Sequence, residues 1–73
     1  MKDYHINVFW SDEDDSYVAD IPDLEYCSAF GDTPQLAVEQ VLIARDLWIE
    51  SARADGTPVP PPRYRPAIYQ AAS

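Results

Sequence analysis

Seventy-three residues leave room for a single domain, and thirteen acids against five bases set its formal charge at −8. That charge argues against binding phosphate backbones or anionic lipid, both of which are gripped by clustered Lys and Arg, and the lone cysteine, Cys27, excludes an intrachain disulfide framework and any multi-cysteine metal site. A hydrophobic fraction of 47% belongs to a folded chain, but a domain this short buries only about 60% of the surface its unfolded chain exposes, so self-association would add usefully to its stability.

The chain opens Met1-Lys2-Asp3-Tyr4 without the apolar run of a signal peptide. Its most apolar stretch, Val41 to Ile49, is broken by Arg45 and Asp46. A cytoplasmic protein with no membrane span is expected.

Tyr4 to Trp10 alternates, with Tyr4, Ile6, Val8 and Trp10 on one side and His5, Asn7 and Phe9 on the other, the period of a half-buried strand. The run Ser11-Asp12-Glu13-Asp14-Asp15-Ser16 carries four adjacent like charges and must be a solvated connection. Tyr17 to Ile21 resumes a strand with Tyr17, Ala19 and Ile21 on one face, so the two form a hairpin. Pro22-Asp23 ends the second strand, because proline has no N–H for the ladder, and Cys27 to Phe30 supplies a short third one.

Asp32-Thr33-Pro34 starts a helix: the Thr33 hydroxyl can cap it, and Pro34 suits the first helical position, where the N–H has no partner. The helix is expected to run from Pro34 to about Asp55 and stop at Gly56, which tolerates the left-handed backbone of a helix end. At 100° per residue Ala37, Val41, Ala44, Trp48 and Ala52 form the face that packs on the sheet, continued by Val38, Leu42 and Ile49, while Glu39, Asp46, Glu50 and Arg53 face water. A second apolar line, Leu36, Ile43 and Leu47, falls on the flank and is not needed by a helix lying on one open sheet.

Pro58-Val59-Pro60-Pro61-Pro62 reads as a stiff spacer that carries the tail away from the helix. Arg63 to Gln70 reads as a fourth strand, confined to an edge by Pro66 and paired with its own sheet or a neighbour's. The expectation is therefore one α+β domain of order β-β-β-α-β over residues 1–73, a small antiparallel sheet with one long helix packed on one face. Residues 1–57 form the β-β-β-α core and 58–73 the spacer and edge strand.

Laid out in this order, the chain resembles the HicB-like antitoxins of bacterial type II toxin–antitoxin systems. The resemblance rests on Tyr4-His5-Ile6-Asn7-Val8-Phe9-Trp10, the acidic turn, Tyr17-Val18-Ala19-Asp20-Ile21-Pro22-Asp23-Leu24, Cys27-Ser28-Ala29-Phe30-Gly31-Asp32-Thr33-Pro34 and the amphipathic helix, and covers roughly Tyr4 to Pro62. It implies a partial ribonuclease H-like fold without that fold's catalysis, and a partner: a small, basic, mRNA-cleaving HicA toxin that the antitoxin blocks by covering its surface. Two departures stand out. Family members commonly read Leu-Pro-Gly-Cys where this chain has Leu24-Glu25-Tyr26-Cys27, and acids after the helix-start proline where it has Gln35 and Leu36. Many relatives also carry a C-terminal DNA-binding domain, which is not found before Ser73, so operator binding is not carried over.

Asp12, Glu13, Asp14 and Asp15 lack the ligand spacing and turn glycine of a calcium loop and read as a solvated turn, available to a basic partner. Tyr26 is either an exposed partner contact or a loop anchor. Cys27 has no basic neighbour in sequence to stabilise a thiolate and reads as core. Asp20, Asp23 and Asp32 are explained by turns and caps, and no catalytic residue, cofactor or metal site is expected. Leu36, Ile43 and Leu47 require a cover, either the tail through Ile68 and Tyr69 or a second copy. The second copy is favoured, giving a homo-oligomer, dimer or tetramer. The leading function is thus that of a HicB-like antitoxin binding a HicA-type toxin protein. The alternative is an orphan oligomeric protein-binding domain of the same fold with no toxin.

Overall fold

Three strands, β1 (Asn7–Ser11), β2 (Ser16–Asp20) and β3 (Ser28–Gly31), form an antiparallel sheet in the order β1-β2-β3, and the 22-residue helix α1 (Pro34–Asp55) lies across one face. The computed structural model describes residues 3–70, the side chains of 69 and 70 excepted. Across the sheet Val8 pairs with Ala19 and Ala19 with Ala29, while Trp10 pairs with Tyr17 and Tyr17 with Gly31. These residues occupy the helix side, since opposed residues in a ladder share a face. The core under α1 is made by Ala19, Ile21, Leu24, Cys27, Ala37 and Val41, with Tyr4, Ile6, Tyr17, Ala29, Ala44 and Trp48 packed around it. The α+β architecture of three strands and one long helix is as expected.

Both helix ends are built as their residue types dictate. Thr33 sits in extended backbone and its Oγ1 accepts the Leu36 N–H at 3.1 Å. At the other end Gly56 takes φ 73°, and the Gly56 and Thr57 amides close on the carbonyls of Arg53 and Ala52 at 3.3 and 2.8 Å, satisfying acceptors that the last turn leaves open.

The fourth strand is not formed. Residues 63–66 belong to no strand, and Ala67–Gln70 make one helical turn, α2. The physical reason is where the backbone donors go: the Arg63 and Tyr64 N–H groups both bond the Asp23 carboxylate, at 3.1 Å, and Pro66 has none to give. Nor do the prolines lead the tail away from the domain. The Pro60 carbonyl receives a hydrogen bond from the Tyr4 hydroxyl, and the Tyr64 ring meets His5 at a tilt of 43° with centroids 4.7 Å apart, so the segment folds back along the end of the sheet. Strand β1 likewise starts at Asn7 rather than Tyr4, although Tyr4 and Ile6 still pack on the core. Among the described residues no helix is long and apolar enough to cross a membrane.

Candidate interaction surfaces

Three surfaces are left open by this packing. The first is the hairpin end. Helix α1 covers β2 and β3 and barely reaches β1, so Trp10 remains 47% exposed on the helix side. Phe9 is 51% exposed on the other face, where it forms a cross-strand row with Val18 and Phe30. Trp10 is held in place: its ring meets Tyr17 edge-on at 5.1 Å and its Nε1–H donates to Asp12 at 2.9 Å. Asp14 accepts from the Ser11 hydroxyl at 2.8 Å, and Asp15 turns the chain with φ 49°. Asp12, Glu13, Asp14 and Asp15 are all exposed, so the Trp10 ring sits beside four carboxylates, with Phe9 on the opposite face of the same strand. Alternation groups Trp10 with Tyr4, Ile6 and Val8 on one side of the strand, and that side is the helix side in the structure. What it did not convey is that the helix leaves β1 half bare, and Phe9 was passed over as a contact for the same reason.

The second surface is the loop from Pro22 to Cys27. Successive bonds from Leu24 N–H to Ile21 O, Cys27 N–H to Leu24 O and Ile21 N–H to Cys27 O, all 3.0–3.1 Å, fold it into tight turns. Leu24 points inward and Tyr26 outward, 93% exposed. Trp48 anchors the loop to α1 by donating to the Glu25 carbonyl at 2.9 Å, so Tyr26 is not the anchor. Its φ of 62° is a left-handed conformation that a bulky side chain adopts only at a cost. Glycine, which has no Cβ, adopts that conformation freely. Tyr26→Gly is therefore expected to raise stability by about 0.5–1 kcal/mol, because relief of roughly 1–2 kcal/mol of strain outweighs the extra freedom glycine has in the unfolded chain. Urea denaturation would check it, and a loss of stability would mean that the exposed ring is held by packing after all. Tyr26 and the acidic turn do not form one site: they lie at opposite ends of β2, whose five residues span roughly 17 Å.

The third surface is the flank of α1. Arg45 reaches Asp3 at 3.4 Å, so the side of the helix bearing Val38, Leu42 and Ile49 faces the segment that leads into β1. Leu36, Ile43 and Leu47 fall on the opposite flank, beside the open edge of β3, exposed by 43, 54 and 61%. Among the described residues the tail leaves them uncovered: Ile68 is itself 75% exposed, and the Tyr69 side chain lies outside the described residues.

Other candidate side chains are accounted for structurally. His5 shares a hydrogen bond of 2.7 Å with Asn7. Cys27 is buried, and burial pushes its thiol above the usual range despite the opposing pull of the Arg45 charge, so the sulfur is a poor nucleophile. Among the described residues no three His, Cys, Asp or Glu side chains come together in a way that could hold a metal ion.

No family model matches the chain. No solved structure matches it. The chain is similar to UPF0150 protein ssl0259 of Synechocystis sp., with 39% identity over 44 residues, and the match spans 60% of this chain and 60% of the relative. That protein's name states no activity, so the likeness points to a small family of related domains and leaves function to be argued from the surface.

Proposed function

We propose that this chain is a HicB-like antitoxin, a cytoplasmic protein that acts by binding and neutralises a small, basic, mRNA-cleaving HicA-type toxin by covering its surface. The observation that carries the reading is the hairpin end: Trp10 stands half exposed beside Asp12, Glu13, Asp14 and Asp15, and Phe9 half exposed on the other face of the same strand. Aromatic anchors next to like-signed charge suit a basic protein surface. The rings bury area at little entropic cost, and the carboxylates raise the encounter rate and pair with the partner's Lys and Arg. A net charge of −8 adds long-range attraction of the same sign. The family resemblance of residues Tyr4 to Pro62 supports the same partner class, and the UPF0150 likeness is consistent with it.

The test is inhibition of RNA cleavage by a HicA-type toxin. Equimolar chain is expected to abolish cleavage, and the chain alone to leave RNA intact with Mg²⁺ present. Full cleavage at several-fold excess would sink the reading and leave the orphan oligomeric domain in its place.

A further inference from the structure

We propose that two copies of this chain associate through the open edge of β3 and the adjoining flank of α1, joining their sheets into one of six strands. The backbone supplies the first argument. Cys27 O accepts from Ile21 N–H and Gly31 O from the Ser16 hydroxyl, so the carbonyls of 27 and 31 face β2. Because a strand alternates, the N–H and C=O groups of Ser28 and Phe30 face the other way, out of the sheet. Ser-Ala-Phe-Gly holds none of the charges or prolines with which edge strands are normally protected against pairing.

Charge favours the same surface. The flank beside that edge reads Leu36, Gln40, Ile43, Leu47, Ser51 and Ala54 at helical spacing, an uncharged line along the whole of α1 in a chain of net −8. A basic partner gains nothing there, whereas two equally acidic copies can approach only over such a surface. Leu36 and Gln40 share a shallow cleft with Phe30, Gly31 and Ser16, so helix line and strand edge are one continuous strip, with Asp32 the one charge at its end. Antiparallel pairing of β3 with its copy is self-complementary about a two-fold axis: it satisfies the outward groups of Ser28 and Phe30 and lays each Leu36–Leu47 line against the other. The helix flank, about 33 Å by 10 Å, and the edge of four-residue β3, about 13 Å by 5 Å, give roughly 400 Å² per copy. The total of roughly 800 Å² is that of a weak, concentration-dependent dimer.

The experiment uses the chain alone, so its outcome is separate from that of toxin binding. Sedimentation from 5 to 200 μM is expected to show a mass of two chains at the upper end. Amide exchange at Ser28 and Phe30 should slow at least tenfold over the same range while the outer residues of α1 stay unchanged. Leu47→Glu should return the mass to one chain with an unaltered circular dichroism spectrum, and Glu39→Gln, on the water-facing side, should leave the dimer intact. A wild type that is monomeric throughout, a dimer that survives Leu47→Glu, or concentration-independent exchange at Ser28 and Phe30 would overturn the proposal. So would a Leu47→Glu chain that loses toxin binding while the wild type remains a monomer, for the strip would then belong to the toxin.

Discussion

Gly31→Ala is expected to cost about 3 kcal/mol and to weaken the docking of α1 more than any surface change. A methyl group on Gly31 would meet the Ala37 amide nitrogen and lie 2.7 Å from the Leu36 carbonyl carbon and 2.9 Å from the Leu36 Cβ. Two of those three atoms are backbone of the helix's first turn, which cannot rotate aside as a side chain would, so α1 must lift off the sheet. Overpacking of this kind costs roughly 1–3 kcal/mol where side chains can adjust, and the upper end applies where they cannot. A domain of this size holds only about 4–11 kcal/mol in total. Chemical denaturation of the two proteins side by side would check the figure. A change below about 0.5 kcal/mol would mean that the helix start shifts freely, contrary to the tight Thr33 cap.

Leu24→Ala is expected to be equally severe, at about 3 kcal/mol, although Leu24 belongs to no strand or helix. It is 1% exposed and shares the core with Ile21, Cys27 and Val41. The turns on either side of it are hydrogen-bonded, so the loop cannot collapse into the hole that truncation leaves. Losses of roughly 2–5 kcal/mol follow when a buried Leu is cut to Ala without such relaxation. Thermal unfolding monitored at the helix band would show it. A loss of less than 1 kcal/mol would place Leu24 at the rim of the core instead of inside it.

How far the chain could be read in advance depended on the range of the interactions involved. Thr33-Pro34 and Gly56 are local signals, and they mark α1 from Pro34 to Asp55 as found. The inward set Ala37, Val41 and Ala52 followed from helical spacing, and Ala19 and Ile21 from alternation. The tail failed because its competitor was remote: a strand-like Arg63–Gln70 gives its donors to Asp23, 40 and 41 residues away. Leu24 carries no signal of burial in the sequence, since only the closing bonds of its loop turn it inward. The half-exposed Trp10 shows a third limit. A period of two assigns a residue to a side of the sheet but says nothing of how wide the helix on that side will be. The flank of Leu36, Ile43 and Leu47 was legible, because an amphipathic helix on one sheet has no use for a second apolar line.

The central claim, that the acidic hairpin end serves to meet a basic toxin, is tested most directly by stopped-flow association with a HicA-type toxin at low and high salt. The comparison is between the wild type and a chain carrying Asp12→Asn, Glu13→Gln, Asp14→Asn and Asp15→Asn together. For the wild type the on-rate is expected to fall by about tenfold or more as salt is raised, as for other steered encounters. The neutralised chain should associate slowly at both salts and show much less dependence on them. Equal, salt-insensitive rates for the two proteins, or no association at all, would contradict the account.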